Sequence, residues 1–510
     1  MNPQEKSQSS YKIFEPLLLA ISMVIGMLLG YNIFDNKNDL SLLNSASIDT
    51  TNSSIGMGRI EEIIRLVENS YVDDIDVDDV SNDAIHSILK QLDPHSSYIS
   101  PEELDEYNQR MEGVHKGIGI ESQFIDDSLF VSYVIPDSEA DKAGVIPGNI
   151  ILEIAKDTVS GKNRSIKYVK ELIRKAGTPS LSFKIQAQNK RIADLDIGLE
   201  DVVVESASSH YLIGDNYGYL KISRFSANTY DQFFKSLESL AEQSSKDDFN
   251  LILDLRDNPG GYVPQTLRIL SQLFNSKGKL LSYTIGEHRK RKEYKSTGRN
   301  FYKINNIVVL INGNSASASE IIAGAMQDWD RGILIGEGSY GKGLVQEIFP
   351  LKRGGAIRLT VARYATPSGR FIQKPYVIKN DDQIQEDSTF YTKKFKRKIL
   401  NNGGIIPDIE IKEDEDFKYD NKITEFVCKN ILPFKNKVDL KELMDETKPL
   451  SLYNGTSEFS DRQIRAELIH SWYGKISYYE YFQQRDPYVM KAIEVLSKED
   501  PMRKLASNEL

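Results

Sequence analysis

Three serines, Ser315, Ser317 and Ser319, stand in the run Asn312-Gly313-Asn314-Ser315-Ala316-Ser317-Ala318-Ser319-Glu320. Before them Asn306-Ile307-Val308-Val309-Leu310-Ile311 is short and nearly all apolar, the pattern of a buried strand; after them Ile321 to Trp329 has a helical pattern. A serine on a strand-to-helix turn exposes its hydroxyl where backbone N–H groups converge, as acyl transfer requires of a nucleophile. The plainer reading is that Ser317-Ala318-Ser319-Glu320 is an S-x-x-E capping box and nothing more. What favours chemistry is Lys342, twenty-five positions after Ser317, set between Gly341 and Gly343 behind the apolar run Ile333-Leu334-Ile335-Gly336. Folded back beside Ser317 in a dry pocket, its ammonium form is disfavoured, and the neutral amine accepts the serine proton. Gln346, four residues on, is placed to hold that amine by a side-chain hydrogen bond. The six histidines, His86, His95, His115, His210, His288 and His470, lie outside this stretch, and none is flanked by a triad-like pattern. The lysine is the more economical base.

The run Ser315 to Asp328, followed by Gly341-Lys342-Gly343-Leu344-Val345-Gln346, resembles the C-terminal processing peptidases, also called tail-specific proteases, and the resemblance extends over roughly Ile60 to Asp408. It implies Ser317 as nucleophile, Lys342 as general base and Gln346 as the residue that orients the lysine. In Asp257-Asn258-Pro259-Gly260-Gly261, which follows the buried-strand pattern Leu251 to Arg256, the residues alone fit an ordinary turn equally well. The resemblance makes Gly260 and Gly261, with Ala318, the oxyanion hole, where glycine lets backbone N–H groups approach the developing charge. It further implies an α/β multidomain fold with a crotonase-like (ClpP/crotonase type) peptidase core and an inserted PDZ domain, to which the residue patterns add an N-terminal transmembrane helix and helical N- and C-terminal extensions. No metal and no cofactor is required.

The elements that must position these residues fall into segments. At 510 residues the chain is too long for one core; 40% hydrophobic and 27% charged residues describe a globular protein. A net charge of -10 gives a nucleic-acid partner no electrostatic support, and His288-Arg289-Lys290-Arg291-Lys292 is a solvated loop or hairpin. The single cysteine, Cys428, on a helical pattern with Ile423, Phe426 and Val427, is a core residue and excludes any intrachain disulfide. Residues 1–15 form a polar tail, and 16–34 an uncharged apolar run long enough to span a bilayer. A cleaved signal peptide is the alternative, disfavoured by the run's length and by the weak, late site at Ser45-Ala46-Ser47. Lys6 and Lys12 bias the tail to the cytoplasm, which sends the remainder outside it, in a bacterial cell envelope. Residues 35–57 form a tether and 58–112 a helical region ending near Asp93-Pro94-His95-Ser96-Ser97-Tyr98, where His95 has a structural role.

From residue 113 to 200 short strands surround one helix, Ser165 to Lys175, with a last strand around Leu181 to Ile185. The order resembles a PDZ domain, whose Gly-x-Gly-φ loop, here Gly117, Ile118, Gly119 and Ile120, binds a peptide carboxylate, and whose strand edge pairs with the peptide. Asn149 and Glu139 depart from the family's usual Asp and Pro. Residues 201–412 are the peptidase core, within which Lys379 to Leu400 is a charged insertion without an interpretation. Residues 413–510 form a helical packing or dimer-forming extension, and a homo-oligomer is compatible with it. The expected partners are protein substrates, held by their C-terminal tails, and the membrane. Two other readings are a non-catalytic PDZ scaffold or chaperone with a degenerate core, and a crotonase-like acyl-transfer enzyme using coenzyme A.

Overall fold

The structure, a computed structural model, describes residues 55–187, 189–207, 209–246, 248–352, 354–376, 389–412, 421–430, 439–446 and 461–510. The expected membrane span at 16–34, nearly all of the tether and the first part of the charged insertion lie outside the described residues. Among those described, no helix is long and apolar enough to cross a membrane. The chain divides into two units, Met1–Ile85 and His86–Leu510. In the first, Ile55–Ser70 is a helix on which Ile60, Ile63 and Leu66 are exposed; a second helix, Val77–Lys90, starts there with Asp78 and Asp79 at its positive end and continues past Ile85.

The second unit is built on a six-stranded sheet in the order His210–Ile213, Tyr217–Lys221, Phe249–Asp254, Ile304–Ile311, Ile333–Gly336, Ile409–Glu410. The first pair is antiparallel and the rest are parallel. Helices Thr229–Gln243, Val263–Leu273 and Ala318–Asp328 connect the parallel strands. They cover one face, where Phe233, Leu237, Leu270, Ile322 and Met326 meet Leu253 and Val309. The other face, carrying Ile252, Val308 and Leu310, is closed by Tyr488, Val489, Ala492 and Val495 of helix Pro487–Leu496. Burial on both faces explains why these strands are continuous apolar runs, each large side chain contributing about 1.5–3 kcal/mol. The parallel order also puts the C-terminal ends of neighbouring strands, and the turns after them, on one rim.

A second, antiparallel sheet runs Ser97–Ile99, Ala356–Ala365, Leu280–Gly286, Arg289–Lys295, with Leu344–Pro350 also pairing with Ala356–Ala365. The basic run falls in the exposed hairpin of this sheet. A third sheet, Ile120–Ile125, Ser128–Val134, Ile150–Ile154, Ser180–Gln186, Ile192–Gly198, packs on helix Ile166–Lys175. Its last strand is Ile192–Gly198 rather than the one near Leu181–Ile185; only Leu195 and Ile197 face its core, too short an alternation to stand out in the sequence. Strands Val114–Gly117 and Glu200–Val203 pair with each other, so this domain begins and ends at one ribbon.

At the C-terminus, helix Asp461–Phe482 kinks at Gly474, whose φ of 80° is open to glycine. A Cβ there would stand 2.6 Å from the hydroxyl of Tyr133 in the third sheet. Lys475 pairs with Glu121 of the same sheet. Cys428 is buried, and burial pushes its thiol up to about 12.

Candidate active site

Strand Ile304–Ile311 delivers the chain to the rim, and helix Ala318–Asp328, every residue of it buried, carries it away. Of the three serines at this junction, two are fully buried and committed: Ser315 Oγ donates to Leu255 O at 2.8 Å and Ser319 Oγ, in the first turn of the helix, to Asn258 O at 2.9 Å. Ser317 is half-buried and sits at the helix start with φ 55°, ψ −110°. That left-handed backbone is costly for a residue with a Cβ and persists only where its surroundings fix it.

Those surroundings centre on Glu320. Its Oε2 accepts from Ser317 N at 2.7 Å, as a capping box requires. The same carboxylate accepts from Lys342 N at 2.9 Å, Gly341 N at 2.7 Å and Ser339 Oγ at 2.6 Å. Burial raises its pKa, opposed by those four bonds. One fully buried acid therefore ties the serine turn to the lysine loop. Tyr364 repeats the tie from the second sheet, its hydroxyl proton shared between Ser317 O at 2.9 Å and Lys342 O at 2.6 Å. Burial lifts the Tyr364 phenol well above its ordinary value, so it stays a donor.

Lys342 Nζ donates to Gln346 Oε1 at 2.9 Å, and no hydrogen bond joins it to Ser317. Burial, then the nearby Arg358 cation, lowers its pKa. Gln346 lies at a bulge of strand Leu344–Pro350, between Val345 and Gln346, which re-aims the side chain. Its other end, Nε2, donates to His95 O at 2.6 Å. An amide so held can only present its oxygen to the amine. The His95 imidazole has its pKa lowered by burial and by Lys342, which places the ring in the lysine's field. Asp93 shapes that turn, accepting from His95 N, Ser96 N and Ser96 Oγ at 2.6–2.8 Å.

The turn after strand Phe249–Asp254 completes the site. Asn258 O accepts from Ala316 N at 2.9 Å, stitching the turn to the serine loop. A methyl on Gly260 would stand 2.8 Å from Ser317 Cβ and 2.9 Å from Ala318 N, so only glycine fits against the serine. The Gly260 N–H donates to Asn258 Oδ1 at 2.9 Å. The N–H groups of exposed Gly261 and of Ala318, at the positive end of its helix, meet no acceptor among the described residues. Ser317, Lys342, Gln346, Gly260, Gly261 and Ala318 are thus gathered on one rim.

Gly117, Ile118, Gly119 and Ile120 lie apart, in the third sheet's domain. They form the turn into Ile120–Ile125, an edge strand. The carbonyls of Ile118 and Gly119 accept from Ala140 N and Ile135 N, both at 2.9 Å. Asn149 fixes a neighbouring turn, its Oδ1 accepting from Ile146 N at 3.1 Å. Glu320, Tyr364, Asn258 and the His95 carbonyl were not recognisable as site residues in the sequence. Only Glu320 left a signal there, and a capping box accounted for it.

A family model for peptidase family S41 matches residues 216–384. A carboxy-terminal-processing protease of Bartonella bacilliformis is 34% identical over 339 residues, 65% of this chain and 77% of that protein. The carboxy-terminal processing protease CtpB of Bacillus subtilis is 32% identical over 327 residues, 62% of this chain and 66% of that protein. Among solved structures, a photosystem II D1 C-terminal processing protease aligns at 23% identity with a TM-score of 0.38, over 74% of this chain and 98% of that one. The chain belongs to peptidase family S41, among the carboxy-terminal processing peptidases, and is a serine-type peptidase.

Proposed function

We propose that the chain is an endopeptidase with a Ser317–Lys342 dyad that cleaves proteins near their C-termini. The observation that carries the reading is the double tie, through Glu320 and Tyr364, between a strained, half-exposed serine and a lysine whose ammonium form is disfavoured. A neutral amine has N–H donors and one lone pair. Gln346 takes a donor, which leaves the lone pair for the Ser317 proton. Ser317 Oγ attacks the scissile carbonyl while Lys342 Nζ accepts that proton, then returns it to the leaving amine. Gly261 and Ala318 receive the oxyanion, since the Gly260 N–H is engaged by Asn258 and Gly260 serves by its lack of a side chain. Water then attacks the acyl-enzyme with Lys342 again as base.

The third sheet's domain is a PDZ-type tail reader in this proposal. Support comes from its edge strand Ile120–Ile125, which has a strand on one side only, and from the Gly-x-Gly turn that leads into it. The apolar run at 16–34 anchors the chain in the bacterial cytoplasmic membrane, with the peptidase outside the cytoplasm. Incubating the full chain in detergent with an unfolded protein bearing an apolar C-terminus, followed by mass spectrometry, tests the reaction. Cleavage is expected from the native chain and from neither Ser317→Ala nor Lys342→Ala; activity in either variant removes the dyad. Tail binding without turnover by the native chain is the result a non-catalytic scaffold gives.

A further inference from the structure

Behind the oxyanion turn lies a buried group of charges that the reaction does not use. Arg256 stands between strand Phe249–Asp254 and the turn, and its guanidinium grips Asp254 through NH2 at 2.7 Å and Nε at 3.1 Å. Its third nitrogen reaches Asp486 Oδ2 at 2.8 Å, and the group lies 4.6 Å over the Tyr488 ring. Lys221 Nζ donates to Arg256 O at 3.1 Å and lies 3.7 Å from Asp254. Two cations thus face two carboxylates, and the cluster is neutral only because Asp486 comes from the C-terminal extension, more than two hundred residues away. Asp486 divides its oxygens: Oδ1 caps helix Pro487–Leu496, accepting from Tyr488 N at 2.8 Å, while Oδ2 holds Arg256.

The next residue, Asp257, shows what this balance protects. It sits at φ 62°, and Oδ1 accepts from Asn312 and Asn314, each at 2.9 Å, while its N–H donates to Asn312 Oδ1 at 3.0 Å. Asp257 is thereby the clasp between the oxyanion turn and the loop that carries Ser317. A cavity of about 350 Å³ has Arg256, Asp257 and Asp486 together in its lining.

We propose that Asp486 is a positioning residue for the peptidase reaction: by engaging Arg256 it keeps that cation from capturing Asp257 and pulling the oxyanion turn off the serine loop. This rests on the Ser317–Lys342 reading above. The C-terminal extension is on this account part of the catalytic apparatus, where the sequence suggested packing or dimer formation.

The test uses the full chain in detergent. Asp486→Asn keeps a good helix cap and removes the charge. It is expected to lower kcat by on the order of tenfold, because a small displacement of oxyanion donors is felt mainly in the transition state, with KM within about twofold. Affinity for a peptide boronate, whose adduct fills the oxyanion hole, falls in step. Asp257→Asn placed in the Asp486→Asn background removes the competing carboxylate yet keeps an acceptor for Asn312, and recovers part of kcat. If Asp486→Asn does not fold, Asp486→Glu keeps the charge that engages Arg256, and kcat within about twofold of native with an unchanged melting temperature is expected of it. Unchanged kcat in a folded Asp486→Asn, or no recovery in the double variant, overturns the proposal. So does a tenfold kcat loss in a folded Asp486→Glu, which still carries the charge. Ser317→Ala in the same assay keeps the two readings distinct: activity surviving there removes the dyad itself.

Discussion

Replacing Glu320 by glutamine changes one atom and asks whether a single carboxylate holds the serine and the lysine in register. The acid accepts four hydrogen bonds, two on each oxygen. An amide offers one acceptor oxygen and a donor group, so two of the four donors meet another donor. The amide settles with its NH2 toward Ser339, whose hydroxyl can turn to accept, and Gly341 N is left orphaned. The opposite orientation orphans both Ser317 N and Lys342 N. One buried unsatisfied N–H costs about 1–3 kcal/mol. If the loop relaxes to avoid that cost and must be restored before attack, the same energy appears in the barrier as a loss of about 5- to 150-fold in kcat. Steady-state cleavage of an internally quenched peptide measures kcat and KM, and circular dichroism with urea unfolding reports the fold. The expectation is a kcat loss in that range, KM within about twofold and an unfolding midpoint shifted by no more than the orphaned bond allows. A folded Glu320→Gln chain with native kcat refutes the claim that this carboxylate sets the register.

Two other outcomes follow from the same geometry. Burial and Arg358 both lower the pKa of Lys342; with Lys342 as the proposed base, activity is expected to rise with pH as it loses its proton. Arg358→Gln lets that pKa climb, moving the rising limb of kcat/KM to higher pH, which a pH–rate profile measures. Gly260→Ala drives a methyl to 2.7 Å from Ala316 O and 2.8 Å from Ser317 Cβ, and is expected to lose activity on the order of a hundredfold or more, with a near-native circular dichroism spectrum.

What the sequence made legible, it did through burial. Strands such as Ile304–Ile311 are covered on both faces and so are apolar throughout, and helices such as Thr229–Gln243 carry one periodic face. Strand Ile192–Gly198 was missed because most of its residues are exposed or half-exposed. At the site, the serine, the lysine and its glutamine are near in sequence or set off by glycine. The residues that hold them are distant or act through their backbone: His95 O meets Gln346 across 251 positions, and Tyr364 reaches two carbonyls. A carbonyl acceptor leaves no trace in residue type. Glu320 was visible, but a helix cap explained it fully until Gly341 and Lys342 were seen on the same oxygens. Asp486 had no signal beyond Asp486-Pro487, an ordinary helix start.

The central claim is that Ser317 is a nucleophile made reactive by Lys342. A peptidyl phosphonate aimed at serine hydrolases, followed by intact-mass analysis and peptide mapping, tests it most directly. One adduct is expected, on Ser317, formed on the order of a hundredfold or more slowly in Lys342→Ala, as for loss of a general base. Modification at any other residue, or equal labelling rates with and without the lysine amine, contradicts it.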